Sequence, residues 1–525
     1  MKKTVLLPGM LLIMMMALSG LLLAEDPHLD DDHSTTKAEQ LHDDAQGHLE
    51  QTDSHDDPAT HQSEEGLHDT HHAPHLNGAT VKLWWIIPFI GILLSIAIFP
   101  LVAPVFWHHH YGKISAFWGL LFIVLFAGFY GMEMAGFYLL EVYLGEFIPF
   151  IVLLLALFTV AGGVRLTGTL RGSPIVNTIL LLIGTALASW MGTTGAAMLL
   201  IRPIIRANSW RKNQVHIIVF FIFLVANIGG SLTPLGDPPL FLGFLKGVSF
   251  FWTTKHMLAP MLFVVVILLI VFFILDTILY KKETVPPDDG NKEPLGMQGK
   301  RNLLLLPLIV GAVVISGIWH PDNTNPADFG IVAWDTCMMT KGAYLQVILL
   351  LIIAFVSWKI TPMSVRQGNG FTWEPILEVA KLFATIFITM VPPIAILRAG
   401  PEGALKFVIN AVRNPETGEY VNNMFFWATG ALSSFLDNAP TYLVFFNTAG
   451  GNAPELMTTL SGTLLAISAG AVFMGANTYI GNAPNFMVKS IAEERGIKMP
   501  SFFGYMGWSI VFLIPVFILV SVIFF

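Results

Sequence analysis

The feature that most constrains this chain is the stretch Asn227 to Leu240, NIGGSLTPLGDPPL, set inside an apolar segment running from about Val215 to Phe244. Roughly 20 apolar residues suffice for a helix to cross a bilayer. This segment has the length but not the regularity, because three glycines, three prolines, Ser231, Thr233 and Asp237 interrupt its middle. Proline removes a backbone donor, and an unpaired carbonyl is costly in lipid. Such a break survives only where protein or a water-filled cavity meets the exposed backbone. Residues 475–487, GANTYIGNAPNFM, repeat the build inside a second apolar run that begins near Leu460. The two share a T-x-x-G-[DN]-x-P core: Thr233, Gly236, Asp237 and Pro239 in one, Thr478, Gly481, Asn482 and Pro484 in the other. Two broken helices at corresponding places in two halves of a membrane chain point to a binding site at the midplane.

The rest of the composition agrees with a polytopic membrane protein: 54% of the 525 residues are hydrophobic and only 12% charged. The net charge of -8 is misleading, since much of the acid sits in one N-terminal tract. Residues 1–24 read as a signal peptide, with Lys2 and Lys3 ahead of an apolar core and Ala24 ahead of Glu25. Leu22 is not the usual small residue three before the cut, so an uncleaved anchor is the alternative. Residues 25–80 are rich in Asp, Glu and His, and their low apolar content predicts disorder. Ten of the chain's 16 histidines fall there: His28, His33, His42, His48, His55, His61, His68, His71, His72 and His75. They are candidates for weak metal binding, set against a solvated spacer, since no fixed ligand spacing recurs. Cys337 is the only cysteine, which excludes an intramolecular disulfide and a cysteine metal cluster.

Hydropathy and basic loops predict an all-α polytopic membrane protein of two inverted repeats, 81–280 and 303–525, joined by a cytoplasmic linker at 281–302. The first repeat is expected to hold spans near 83–106, 114–131 and 147–163, with an acidic loop carrying Glu133, Glu141 and Glu146. Basic residues flank the next piece, 174–201, on both sides, so it reads as a re-entrant hairpin with Ser189 to Met198 near its tip. The broken span 215–244 and a span at 258–280 complete the half. The second repeat follows the same order: spans near 303–319, 343–358 and 376–397, a hairpin at 423–450 turning at Ser433 to Tyr442, a broken span at 457–488, and a last span at 501–525. Five crossings per half is an odd number, which orients the halves oppositely. The mature N-terminus is expected on the periplasmic side of a bacterial inner membrane.

Asp237 and Asp437 carry the sharpest chemical signal, because an ionisable group at membrane depth is costly and normally serves a cavity. A hard cation such as Na+ takes oxygen ligands from carboxylates, hydroxyls, amides and freed carbonyls. The candidate ligands are Thr193, Thr194, Asn227, Ser231, Thr233, Gly236 and Asp237 in the first half. In the second they are Ser433, Asp437, Asn438, Thr441, Asn477, Thr478, Gly481 and Asn482. Burial disfavours the charged carboxylate, so one Asp can take a proton when the cation leaves. The bland alternative is that each Asp caps a half-helix N-terminus. His108 to His110 read as an interfacial turn, Glu133 as a span-end residue with a gate as its functional alternative, and Lys381 and Arg398 as span-end anchors. No phosphate loop, nucleophile triad or zinc motif is placed for catalysis, so an enzyme with a cofactor is not expected.

GGSLTPLGDPP (229–239) and LDNAP (436–440), with the two matching segments, resemble motifs of the ion transporter superfamily over about residues 83–525. The resemblance is to NhaD-type sodium/proton antiporters and the closely similar citrate transporter-like (CitMHS) family. It departs from the dicarboxylate symporters, whose hairpin tips carry Ser-Asn-Thr where this chain has MGTTGAA and LDNAPTY. The resemblance implies a homodimer, a fixed scaffold, and a transport domain that carries the hairpins in an elevator-like movement.

The leading expectation is exchange of Na+ or Li+ for H+, with the lipid bilayer as surroundings and no nucleic-acid partner. A cation-coupled citrate or other carboxylate carrier is the runner-up. It would gain from a buried Arg or Lys near the hairpins, and the sequence shows none. A divalent metal carrier fed by the His-rich tract is the third reading, separable by deleting that tract.

Overall fold

The computed structural model describes residues 74–283, 293–319 and 325–525. The leader and the histidines from His28 to His72 lie outside the described residues. Among the described residues, eight helices are long and apolar enough to cross a membrane, or ten when each of two bent pairs counts as one span. The bent pairs are Glu374–Thr389 with Val391–Arg398, at 41°, and Phe502–Phe512 with Ile514–Phe524, at 43°. Among the described residues strands are confined to two short antiparallel ribbons: Arg165–Thr167 with Gly296–Gln298, and Phe329–Ala333 with Thr336–Thr340. The chain is an all-α polytopic membrane protein.

The expected hairpins and broken helices are present as helix pairs. Ser173 caps Pro174–Met191, its Oγ accepting from Val176 N at 3.4 Å. Gly192, at φ +80°, ends that helix, and the chain doubles back along it as Thr193–Ala207. Only glycine takes this backbone conformation without strain. The second hairpin pairs Asn422–Phe435 with Asn438–Thr448. Its tip is capped by Asp437, whose Oδ1 accepts from Ala439 N at 3.0 Å. The first broken helix is Val215–Leu224, a 3₁₀ turn at Ile228–Leu232, and Pro238–Leu245; the second is Ser461–Met474, Gly475–Asn477 and Ala483–Glu494.

Apart from His216 the helix leading into the first break is apolar all round, VHIIVFFIFL, a pattern that suits burial on every side rather than on one face. Its span is 89% buried, against 22% for Pro104–Tyr130. The halves pack crosswise about it. The second arm of each hairpin lies on the last section of the other half's broken helix: Asn438–Thr448 on Pro238–Leu245, and Thr193–Ala207 on Ala483–Glu494. The outer spans cross in the same sense, with Pro104–Tyr130 on Glu374–Thr389 and Ile148–Ala161 on Lys341–Ile360.

Two expectations need correction. His108 to His110 are not in a turn but in the helix Pro104–Tyr130, where the Nδ1 atoms of His109 and His110 bond Val105 O and Phe106 O one turn back. The acidic loop is also helical. Met132–Val142 passes through a π-helical turn at Tyr143–Phe147 into Ile148–Ala161. Aromatic and aliphatic residues between the acids sustain the helix, and Glu146 is neutralised by an ion pair with Lys246. Glu133 sits near the start of this helix and accepts from Trp334 Nε1 at 3.1 Å. Lys381 lies over the Tyr111 ring at 5.2 Å, and Arg398 Nε donates to Asn447 Oδ1 at 2.8 Å.

Each break is closed by two glycines whose backbones touch. A Cβ on Gly236 would lie 2.1 Å from Gly230 O, and one on Gly481 would lie 2.6 Å from Gly475 O. Gly236→Ala should therefore force the turn apart at the roughly 1–3 kcal/mol typical of overpacking, read as an earlier thermal transition of the detergent-solubilised protein. Gly311→Ala, inside the helix Leu305–Ile318 and with nothing within 4 Å of the added carbon, should not lower the transition.

Candidate functional site

The threonine that opens each shared motif is the residue that fastens the break to its hairpin. Thr233 Oγ1 donates to Ser189 O and accepts from Leu235 N at 3.2 Å. Thr478 Oγ1 donates to Ser434 O and accepts from Ile480 N at 3.2 Å. Both hydroxyls thus satisfy backbone groups that the helix break leaves open. Ser231 Oγ, Ser433 Oγ and Thr441 Oγ1 are likewise turned to carbonyls, those of Ile228, Ala471 and Asp437. Asn477 Nδ2 donates to Ser434 Oγ at 2.9 Å.

With the backbone accounted for, Asp237 is left pointing at the other half. It is 1% exposed, and its Oδ1 accepts from Thr193 Oγ1 at 3.2 Å and Asn482 Nδ2 at 3.0 Å. Its Oδ2 accepts from Asn438 Nδ2 at 2.5 Å. The two predicted groups of ligands thus meet at a single carboxylate. An amide chain continues from it: Asn482 Nδ2 reaches Asn227 Oδ1 at 3.2 Å, Asn227 Nδ2 donates to Asn485 Oδ1 at 2.7 Å, and Asn485 Nδ2 donates to Gly475 O and Thr478 O. Asn485 was not among the predicted residues, although it follows the second motif by one position. Asn438 Oδ1 is buried with no hydrogen-bond partner among the described residues. A free acceptor beside a buried carboxylate is an arrangement completed by a cation or a proton donor.

Asp437 occupies a different setting. It is partly buried at the tip of the second hairpin and spends Oδ1 on the helix cap. Asp437, Asp237, Thr193, Thr194, Gly236 and Asn482 all line one cavity of about 680 Å³. Its remaining walls are largely apolar side chains of other spans, including Phe150, Leu153, Leu157, Leu382 and Phe383. Such a pocket, mostly apolar with a few convergent polar groups, has the build of a small-solute site. Among the described residues no group of three or more His, Cys, Asp or Glu side chains is arranged to hold a metal ion.

A family model described as putative citrate transport matches residues 78–525. The chain belongs to that family. No curated protein matches it. Membership makes this multi-pass membrane protein a secondary transporter and places it among carriers rather than enzymes. The site of this citrate-transport family member also corrects one sequence expectation. Arg202 lines the cavity, and its Nη1 is buried without a hydrogen-bond partner among the described residues. The sequence places Arg202 in a cytoplasmic basic cluster because the hairpin's second arm was ended at residue 201; the helix runs to Ala207 and carries the guanidinium along the wall. Glu374, Glu378 and Glu494 line the same cavity, and none of the three was predicted. Their signal was present in the sequence only as acids near predicted span ends.

Removing one amide donor leaves an oxygen of the buried Asp237 unsatisfied, which should cost roughly 1–3 kcal/mol. Asn438→Ala and Asn482→Ala are therefore expected to lower the thermal transition clearly. Asp437→Asn should not lower it, since Asn caps a helix as well as Asp does. A transport defect in Asp437→Asn at unchanged stability would thus report on charge and not on capping.

Proposed function

We propose that the protein exchanges Na+ (or Li+) for H+, with Asp237 as the carboxylate that holds the two in turn. The observation that carries this reading is the charge of the cavity wall. Five carboxyls, of Asp237, Asp437, Glu374, Glu378 and Glu494, face one guanidinium, that of Arg202, and one imidazole, that of His108. A cavity of one charge sign with low-dielectric walls concentrates ions of the other sign, whereas a tricarboxylate entering it would be opposed by like charge. The free Oδ1 of Asn438 and the Thr193 hydroxyl supply further hard oxygen beside Asp237. On arrival of the ion, Asn438 turns its amide to offer oxygen in place of N–H. On departure, a proton neutralises the desolvated carboxylate. The four re-entrant and broken elements move as one body against the outer spans, in an elevator-type alternation within a homodimer, with the two repeats oppositely oriented. The membrane is the bacterial inner membrane, and the mature N-terminus is periplasmic.

A second reading, cation-coupled transport of a carboxylate such as citrate, is favoured by Arg202 and by the description of the family. One carboxylate of such a substrate would pair with the guanidinium, and cations at Asp237 would offset the acids.

Proton flux in inside-out vesicles separates the two. With the interior acidified, addition of NaCl or LiCl should collapse the gradient, KCl and citrate should not, and Asp237→Asn should abolish the response. Silence with every cation, together with uptake of labelled citrate into oriented proteoliposomes, would establish the second reading instead.

A further inference from the structure

Asp237 lies on the hairpin and broken-helix side of the cavity, and the wall supplied by Pro104–Tyr130 and Glu374–Thr389 carries a carboxyl of its own, Glu378. Glu378 Oε1 accepts from the buried Trp107 Nε1 at 3.2 Å. Oε2 makes no hydrogen bond within the described residues, and the side chain faces the cavity. One helical turn toward solvent, at the i−4 position and so on the same helix face, Glu374 Oε1 stands 3.3 Å from His108 Nε2. The acids form a series of increasing burial. The Glu374 side chain is 55% exposed, Glu378 is half-buried, and Asp237 is 1% exposed. The same cavity is also lined by the apolar side chains of Leu382, Phe383, Phe150 and Leu153.

A staple between two helices needs only an acceptor for Trp107 N–H, which a glutamine or a carbonyl would provide. A carboxyl group set into a largely apolar wall at membrane depth is costly unless it has a use. We propose that Glu378 is a specificity-determining residue for the exchange, a fixed carboxylate that draws a monovalent cation from the mouth into the cavity and presents it to Asp237. This rests on the antiport reading above. Because Glu378 belongs to the outer spans and Asp237 to the broken helix, the two acids are held by different elements. The one can therefore attract the cation while the other carries it. Arg202 and Glu494, on Thr193–Ala207 and Ala483–Glu494, are the charged groups facing them from the remaining walls, with Asp437 at the second hairpin tip.

Glu378→Gln keeps the acceptor for Trp107 and removes only the charge. In the vesicle assay the apparent KM for Na+ should rise about three- to tenfold, as for loss of one attracting charge across the cavity, while the maximal rate stays within about twofold. Glu378→Asp retains the charge but is too short for the Trp107 bond, and it should restore most of the parent KM. Trp107→Phe should leave KM unchanged. A Glu378→Gln protein with the parent KM would overturn the proposal, as would impaired Glu378→Asp and Trp107→Phe proteins beside a normal Glu378→Gln, since that pattern belongs to a structural staple. If Glu378→Gln does not yield folded protein, the comparison of Glu378→Asp with the parent decides: a KM raised to the predicted range despite the retained charge overturns it. An unchanged KM in Glu378→Gln beside an inactive Asp237→Asn would remove this inference and leave antiport standing, whereas a parent inert to all cations would remove both.

Discussion

A carboxylate can remain in the interior of a membrane protein only if the surroundings replace the water it has lost, and at Asp237 that replacement comes from the opposite half of the chain. Two of its three donors, the amides of Asn438 and Asn482, are supplied by the second hairpin and the second broken helix. Neither half can satisfy the acid alone. The crosswise packing of hairpin arms on broken helices therefore has an electrostatic function as well as a steric one: it delivers the donors. It also requires the breaks themselves, since an unbroken helix would bury its N–H groups in its own ladder and leave no sharp turn from which Asp237 and Asn482 could face each other. The glycine pairs Gly230–Gly236 and Gly475–Gly481 set how tightly each turn closes, and the threonines Thr233 and Thr478 tie each turn to its hairpin.

Much of this was legible in the sequence because the breaks violate the expected pattern of a transmembrane span. Glycine, proline and asparagine in the midst of Val-, Ile- and Phe-rich segments have no other economical reading. The first hairpin was legible through the basic residues on both its flanks, and the turn of the second through its LDNAP segment. Hydropathy was a poor guide at Pro104–Tyr130 and Met132–Ala161. There polar residues, the three histidines and the acids Glu133, Glu141 and Glu146, lie within continuous helices, and a window average treats them as span ends.

The pairing of residues was not legible, because it depends on which side chains cross the interface between halves. Thr233 and Thr478 carry oxygens of the right kind for a cation, but their hydrogen bonds to Ser189 O and Ser434 O show them serving the backbone. Conversely, Asn485 and Glu378 look unremarkable in sequence, one as a polar residue after a motif and the other as an acid near the start of a span. Only the fold brings Asn485 to Asn227 and turns Glu378 to the cavity of Asp237. Arg202 shows the cost of a boundary error: shortening a helix by two turns at its basic end removed the one guanidinium that lines the cavity.

The repeat gives the site its geometry, and departures from the repeat give it its chemistry. The equivalent bonds Thr233 to Ser189 and Thr478 to Ser434 place Asp237 opposite Asn482, Thr193 opposite Asn438, and Gly192 opposite Asp437. The repeated motifs of each half thus contribute one acid, but at non-equivalent positions, one in a broken helix and one at a hairpin tip. Had both broken helices carried Asp, two carboxylates would stand where Asn482 Nδ2 now lies 3.0 Å from Asp237 Oδ1. Like charges at that distance cannot both ionise in a desolvated site, so such a pair would hold a proton between them. With Asn at 482 the partner is a donor. A single carboxylate can then take up a proton when no cation is bound, and it is free to change its charge state by itself. The neighbouring amides are neutral and can rotate to present either a donor or an acceptor. A site of this kind can hold a monovalent cation or a proton with small rearrangement, which is the physical requirement for exchanging them one at a time.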